Sequence, residues 1–212
     1  MVPTCRSGVS LVGVAAAFLL IWAVVFSPSA HAGHDHHHGD ESDRDGKTVH
    51  VDGFNIDVDD PPRGSSVGRA LAFVDSAYMQ VVYGRPLKRD RMIFGGLVAH
   101  GQIWPMGAHM ATEITLTEPV CIAGRTLSAG TYSLFATPEE DEWTIHVNSK
   151  LGMHLADRYD PDNDVLTFTV PVTTRDEITE QHTIDFEDQD RGVDLRVTWD
   201  DVRVRIPIRP LR

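Results

Sequence analysis

Cysteine is nearly absent from this chain: 212 residues hold two, Cys5 and Cys121. That count excludes a disulfide-stapled framework and a cysteine-ligated zinc site. Also missing are a G-x-S-x-G elbow, an H-E-x-x-H pair and a phosphate-cradling glycine loop, so none of the familiar catalytic signatures assigns an activity. Basic residues are few, 19 Lys and Arg against 31 Asp and Glu, for a net charge of −12. Such a surface repels polyanions, which argues against nucleic acid and anionic lipid as partners. Beyond Phe26 there is no second apolar run long enough to span a bilayer.

The amino terminus does carry one such run. A single early cation, Arg6, precedes eighteen apolar-rich residues from Val9 to Phe26, then Pro28 and the sequence Ala30-His31-Ala32. This order predicts a secretory leader, residues 1–32, cut after Ala32. The expected product starts at Gly33, is periplasmic or extracellular, and is not held by a membrane once the leader is gone. Cleavage removes Arg6 and no acidic residue, leaving 18 minus 31, or −13. It also removes Cys5, so Cys121, between Val120 and Ile122, is expected to be a lone buried thiol.

Residues 33–65 are dominated by His, Asp, Gly, Glu and Lys, with Pro61 and Pro62 near the end. Too little apolar surface is present to offset the entropy of ordering, so a flexible tail and linker are expected, with a short sticky segment at 51–58. Within the tail His34, Asp35, His36, His37, His38 and Asp40 bring four imidazoles and two carboxylates close together. Those donors suit Cu or Zn. The α-amine freed at Gly33 would add a further ligand for Cu(II) beside His34.

From residue 66 to 212 the pattern becomes short alternating runs punctuated by turn residues, the period of half-buried strands. Val193, Leu195, Val197 and Trp199 alternate with Asp194, Arg196 and Thr198; Val202, Val204, Ile206 and Ile208 alternate with Arg203 and Arg205. These two runs read as a hairpin across Asp200-Asp201. Further strands are expected near 69–75, 77–84, 112–122, 126–137, 142–148, 164–172 and 181–187. About nine strands without a long helix predict an all-β domain, an antiparallel β-sandwich or jelly roll. The connection 87–110 interrupts the pattern. A helical turn is expected at 91–97, and Ile93, Phe94, Leu97, Val98, Ile103 and Trp104 argue that the connection is ordered.

Around that connection the segments Val82-Tyr83-Gly84-Arg85-Pro86, Arg91-Met92-Ile93-Phe94-Gly95-Gly96-Leu97-Val98, Gly101-Gln102-Ile103-Trp104 and Gly107-Ala108 form a recognisable series. Leu127-Ser128-Ala129-Gly130-Thr131-Tyr132-Ser133-Leu134 and Glu142-Trp143-Thr144 extend it. Together they resemble a bacterial domain-of-unknown-function family, number 2911, over roughly 67–208. The resemblance implies an exported β-protein and supplies no activity. Relatives usually carry Arg-Thr after the Trp and Asn-Glu after the Gly-Ala; here Pro105, Met106, His109 and Met110 stand there.

Tyr83, Arg85, Arg91, His100, Trp104 and His109 flank the connection and form the candidate ligand set. Arginine offers a planar donor fork, the aromatics offer flat faces, and histidine moves protons or binds metal. In the competing view Arg85 and Arg91 brace backbone carbonyls while Tyr83 and Trp104 belong to the core. The expected function is a non-enzymatic envelope or periplasmic module for a small ligand or partner. The alternative is a hydrolytic or metal-dependent enzyme using His100 and His109. His146, between the apolar Ile145 and Val147, is expected to be exposed.

Overall fold

The computed structural model describes residues 48–51, 54–57 and 65–211. Two short strands, β1 (Thr48–Val51) and β2 (Phe54–Asp57), pair antiparallel as a hairpin inside the segment read as tail. They belong to a compact unit of their own. The remaining strands are β3 (Ser65–Val74), β4 (Ala77–Pro86), β5 (Thr112–Leu116), β6 (Val120–Ile122), β7 (Arg125–Leu127), β8 (Gly130–Pro138), β9 (Glu142–Asn148), β10 (Asp164–Gln189) and β11 (Gly192–Pro210). All their pairings are antiparallel, in the order β3-β4-β5-β8-β9-β10-β11-β6-β7.

The alternation seen in the sequence decides which face each strand buries. In β4 Ala77, Met79, Val81 and Tyr83 point inward; in β9 Trp143, Ile145 and Val147 do; in β11 Val193, Leu195, Val197 and Trp199, then Val204, Ile206 and Ile208. Each such side chain contributes about 1.5–3 kcal/mol on burial. A single cluster collects these residues from β3 through β11.

The all-β expectation holds, but the pairing gives one continuous nine-stranded sheet and does not separate two sheets. β10 is the reason. Its first part, from Asp164 to Pro171, pairs with β9, and the stretch from Val172 to Gln189 pairs with β11, with register shifts between Thr174 and Thr179 and between Thr179 and Thr183. What reads in sequence as strands near 164–172 and 181–187 is therefore one strand shared by two limbs. Conversely, the expected 112–122 strand is divided into β5 and β6 ahead of Pro119, and 126–137 is divided before Gly130. The hairpin expected across Asp200-Asp201 is instead one strand: both runs of β11 pair with β10, and the strand bends at Asp200, which has a left-handed φ of 57°. Its ends come together where Arg209 Nη1 donates to Val193 O at 2.6 Å and Arg209 Nη2 to Asp194 Oδ1 at 2.8 Å.

The connection 87–110 is ordered without a helix. Gly96 N donates to Ile93 O at 3.3 Å, Leu97 N to Met92 O at 3.0 Å and Val98 N to Ile93 O at 2.8 Å, a wide turn closed by five-residue steps. Ile93, Val98, Trp104 and Met106 are buried beneath it. Cys121 on β6 is 7% exposed, as its place between Val120 and Ile122 suggests. The other cysteine, Cys5, lies outside the described residues.

Val204, fully buried, pairs with Val172 where the two limbs meet. Val204→Asp is expected to destabilise the domain by about 4 kcal/mol or more, because an unpaired carboxylate cannot be solvated there. Urea unfolding followed by tryptophan fluorescence measures this; an unchanged midpoint would refute the inward assignment.

Candidate functional site

The end of β4 and the 104–110 segment approach so closely that only glycine fits. A Cβ on Gly84 would stand 2.1 Å from Ala108 O. This packing joins the Val-Tyr-Gly-Arg-Pro and Gly-Ala motifs and leaves two adjoining cavities, which share Ser65 and Ala108. One, of about 410 Å³, lies between Val67, Val82 and Tyr83 on one side and His109, Met110 and Ala111 on the other. The second, of about 430 Å³, has Trp104 and Trp199 as walls, with Pro86, Leu87 and Leu97 beside them and Arg89 and Arg91 among its lining residues.

The six expected ligand residues are distributed rather than convergent. Tyr83 and His109 line the first cavity; Arg91 and Trp104 line the second; Arg85 and His100 line neither. Arg85 Nε donates to His182 O at 3.4 Å. Arg91 Nε donates to Lys88 O at 3.0 Å and its Nη2 to Leu87 O, bracing the connection. Trp104 is 7% exposed and Tyr83 5%; burial pushes the Tyr83 phenol above its ordinary value. His100 is half-buried beside Gly95, and His109 is exposed with a φ of 64°. Of the four positions at which the sequence departs from the pattern it resembles, Pro105 lines the second cavity, His109 and Met110 the first, and Met106 is fully buried.

Trp104 is the hub. It forms a two-way backbone bridge to Ala136 on β8, with N–O distances of 2.7 and 2.9 Å, and its indole N–H donates to Gly107 O at 3.2 Å. Its ring meets Phe94, Trp143, Trp199 and His182 at centroid distances of 5.9, 5.7, 6.2 and 5.3 Å. No motif or spacing singles out His182. It lies in a polar stretch, Glu180-Gln181-His182-Thr183, yet it is wholly buried. Its Nδ1 lies 3.3 Å from Gly84 O. A carbonyl only accepts, so Nδ1 carries the proton and Nε2 presents a bare lone pair. That Nε2 has no hydrogen-bond partner among the described residues. Burial, first of all, lowers the imidazole pKa to about 3.

His146, expected at the surface, is 14% exposed and held in a polar network on the sheet's other face. Asp164 Oδ2 lies 3.0 Å from its Nδ1, Thr137 Oγ1 lies 3.0 Å from its Nε2, and Tyr159 donates to Asp164 at 2.7 Å. The network fastens the 149–163 connection over Phe135 and Met153. Desolvation and the Asp164 carboxylate both raise the Tyr159 pKa. Among the described residues, no group of three or more His, Cys, Asp or Glu is gathered as a metal set. The expected ligands from His34 to Asp40 lie outside those residues.

His182 has a worked pH consequence. The unfolded imidazole takes a proton below about 6.5, whereas the folded one stays neutral down to about 3. Stability is therefore lost as pH falls from 6.5 toward 3, by about 1.4 kcal/mol per pH unit from this group. His182→Phe is expected to flatten that slope between pH 6 and 4, measured by urea unfolding at stepped pH. An identical slope would contradict the buried neutral imidazole.

No curated relative and no solved structure matches the chain. A family model described as "Protein of unknown function (DUF2911)" matches residues 66–208, from the start of β3 to the end of β11 and across both cavities, and the chain belongs to that family.

Proposed function

We propose that the chain is an exported, non-enzymatic envelope module that binds a small organic ligand with a flat apolar body and an acidic group. The observation that carries this reading is the second cavity. Pro86, Leu87, Leu97 and the edges of Trp104 and Trp199 make its wall apolar, and Arg89 and Arg91 line it in a chain that is otherwise strongly acidic. Arg85, Lys88, Arg89 and Arg91 fall within seven residues. Lys88 is occupied by Asp200 at 2.9 Å and Arg91 by backbone carbonyls, whereas the Arg89 guanidinium has no partner among the described residues. A cavity of this size suits a compact ligand. We read the two limbs of the sheet as packed face to face in the manner of a sandwich, because both feed one core.

Export rests on the leader pattern and the family resemblance. Among the described residues no helix is long and apolar enough to cross a membrane. The His-rich stretch from His34 to Asp40 adds a separate, flexible metal-binding tract, with Cu(II) held more tightly than Zn(II) in the usual affinity order. The enzyme alternative needs His100 and His109 at one site, and only His109 lines either cavity.

Benzoate and 4-phenylbutyrate are suitable probes, read by calorimetry and by tryptophan fluorescence. Arg89→Ala is expected to weaken binding about fivefold, roughly 1 kcal/mol, while Arg69→Ala on β3 leaves it unchanged. Equal affinity in the Arg89 variant would remove the acidic group from the ligand description. For the tail, replacing His34, His36, His37 and His38 by Ser in the full chain is expected to abolish Cu(II) uptake. In the parent protein uptake should weaken as pH falls through about 6.5, where imidazole protonates. Full uptake by the Ser variant would place the metal elsewhere.

A further inference from the structure

At the bend shared by β10 and β11 the sheet gathers four arginines, Arg175, Arg196, Arg203 and Arg205. Their carboxylate partners are unequal. Arg196 binds Asp185 at 2.6 Å and Glu187 at 2.8 Å, and Arg205 binds Glu187 at 3.0 Å. Arg175 pairs with Glu177, whose side chain is 80% exposed, so water screens that pair heavily. Among the described residues no carboxylate is within ion-pair distance of Arg203; Asp185 acts on it only from farther off. The one hydrogen bond of Arg203 among the described residues runs from Nε to Thr198 Oγ1 at 3.2 Å, and both terminal nitrogens of the half-buried guanidinium have no acceptor there.

The hydroxyls beside these arginines are oriented by their own bonds. Thr198 Oγ1 accepts from Arg203 Nε, and Thr179 Oγ1 accepts from Arg175 Nη1 at 2.9 Å. A hydroxyl that accepts from a guanidinium keeps its proton for another acceptor, and neither threonine has one among the described residues. The register brings the groups together: Thr173 pairs with Arg203, Thr179 with Asp200 and Thr183 with Thr198, with the shifts in pairing falling between them. The nearby carboxylates Asp185 and Glu187 are bound to Arg196 and Arg205, so positive charge stays in excess around Arg203. Consistent with that, burial first and then Arg175, Arg196 and Arg205 hold the Arg203 pKa below its ordinary value.

We propose that Arg203 and Arg175, with the hydroxyls of Thr179 and Thr198, form a binding site for one tetrahedral oxyanion, a phosphate or sulfate group. The guanidinium fork fits two oxygens of such a group, and the hydroxyls fit the others. The acidic surface around the site selects a small, singly bound group over a polyanion. Glu187, part of an acidic run that loosely resembles a calcium loop, is committed to Arg196 and Arg205 and serves here to hold them in place.

The test is calorimetry and thermal melting of the full chain in inorganic phosphate, sulfate and chloride at matched ionic strength, with glycerol 3-phosphate as a separate arm. Phosphate or sulfate is expected to raise the melting temperature above that in chloride. Arg203→Gln should weaken phosphate binding at least tenfold, Thr198→Val less, and Arg69→Gln not at all. Equal melting in chloride and phosphate, or wild-type affinity in Arg203→Gln, would overturn the site. A folding defect is separated by melting Arg203→Gln in chloride. Relief of arginine repulsion predicts a melting temperature no lower than the parent, and a clear drop would make Arg203 a structural brace and sink the proposal. Binding of glycerol 3-phosphate as tightly as inorganic phosphate assigns the site to esterified groups; binding of the inorganic ions alone assigns it to the free ion.

Discussion

The bridge between Trp104 and Ala136 is the contact on which the functional end of this domain depends. It pins an irregular connection of more than twenty residues to β8 through a pair of backbone hydrogen bonds. Once the backbone is fixed there, the indole has one place to go, between Phe94, Trp143, Trp199 and His182. Those rings come from the connection itself, β9, β11 and β10, so a single side chain ties both limbs of the sheet to the loop that shapes the cavities. Loss of the indole would leave a large void and strand the Gly107 carbonyl it satisfies, a cost of about 3–5 kcal/mol by analogy with other large-to-small changes.

The strands were legible where one face is buried and the other wet. β4, β9 and β11 alternate cleanly, and their inward residues are the ones the pattern names. What alternation does not encode is whether two consecutive runs are separate strands or one strand bent through a register shift. The 173–180 stretch carries Thr, Arg, Asp and Glu and reads as a break, yet it stays extended because β11 bends alongside it. The turn expected at 91–97 failed as a helix for a related reason: Gly95 at a positive φ of 79° and Gly96 close a wider turn that tucks Ile93 inward.

The candidate site was legible in its residues and illegible in its grouping. Tyr83, Arg91, Trp104 and His109 do border cavities, but Gly84 lies against Ala108 and the lining residues fall into two groups. His182 was missed because a histidine amid Glu, Gln and Thr carries no hydropathy signal; its burial comes from β4 crossing over β10, a long-range contact. The arginine bend was hidden in the same way. Arg175 and Arg203 are 28 positions apart and lie on neighbouring strands only because β10 pairs with β11 through its shifts in register.

The shared strand also dictates an order of events during synthesis. Ser66 at the start of β3 waits for Gln181, 115 positions later, which donates to its hydroxyl. Until β10 arrives, Ala70 and Val74, the inward residues of β3, lack part of the core that covers them in the finished fold. Non-local pairing of this kind folds slowly and leaves sticky intermediates. A chain built this way is well matched to a route in which it is held unfolded until its last residues have been made, because no earlier stopping point along its length completes either limb.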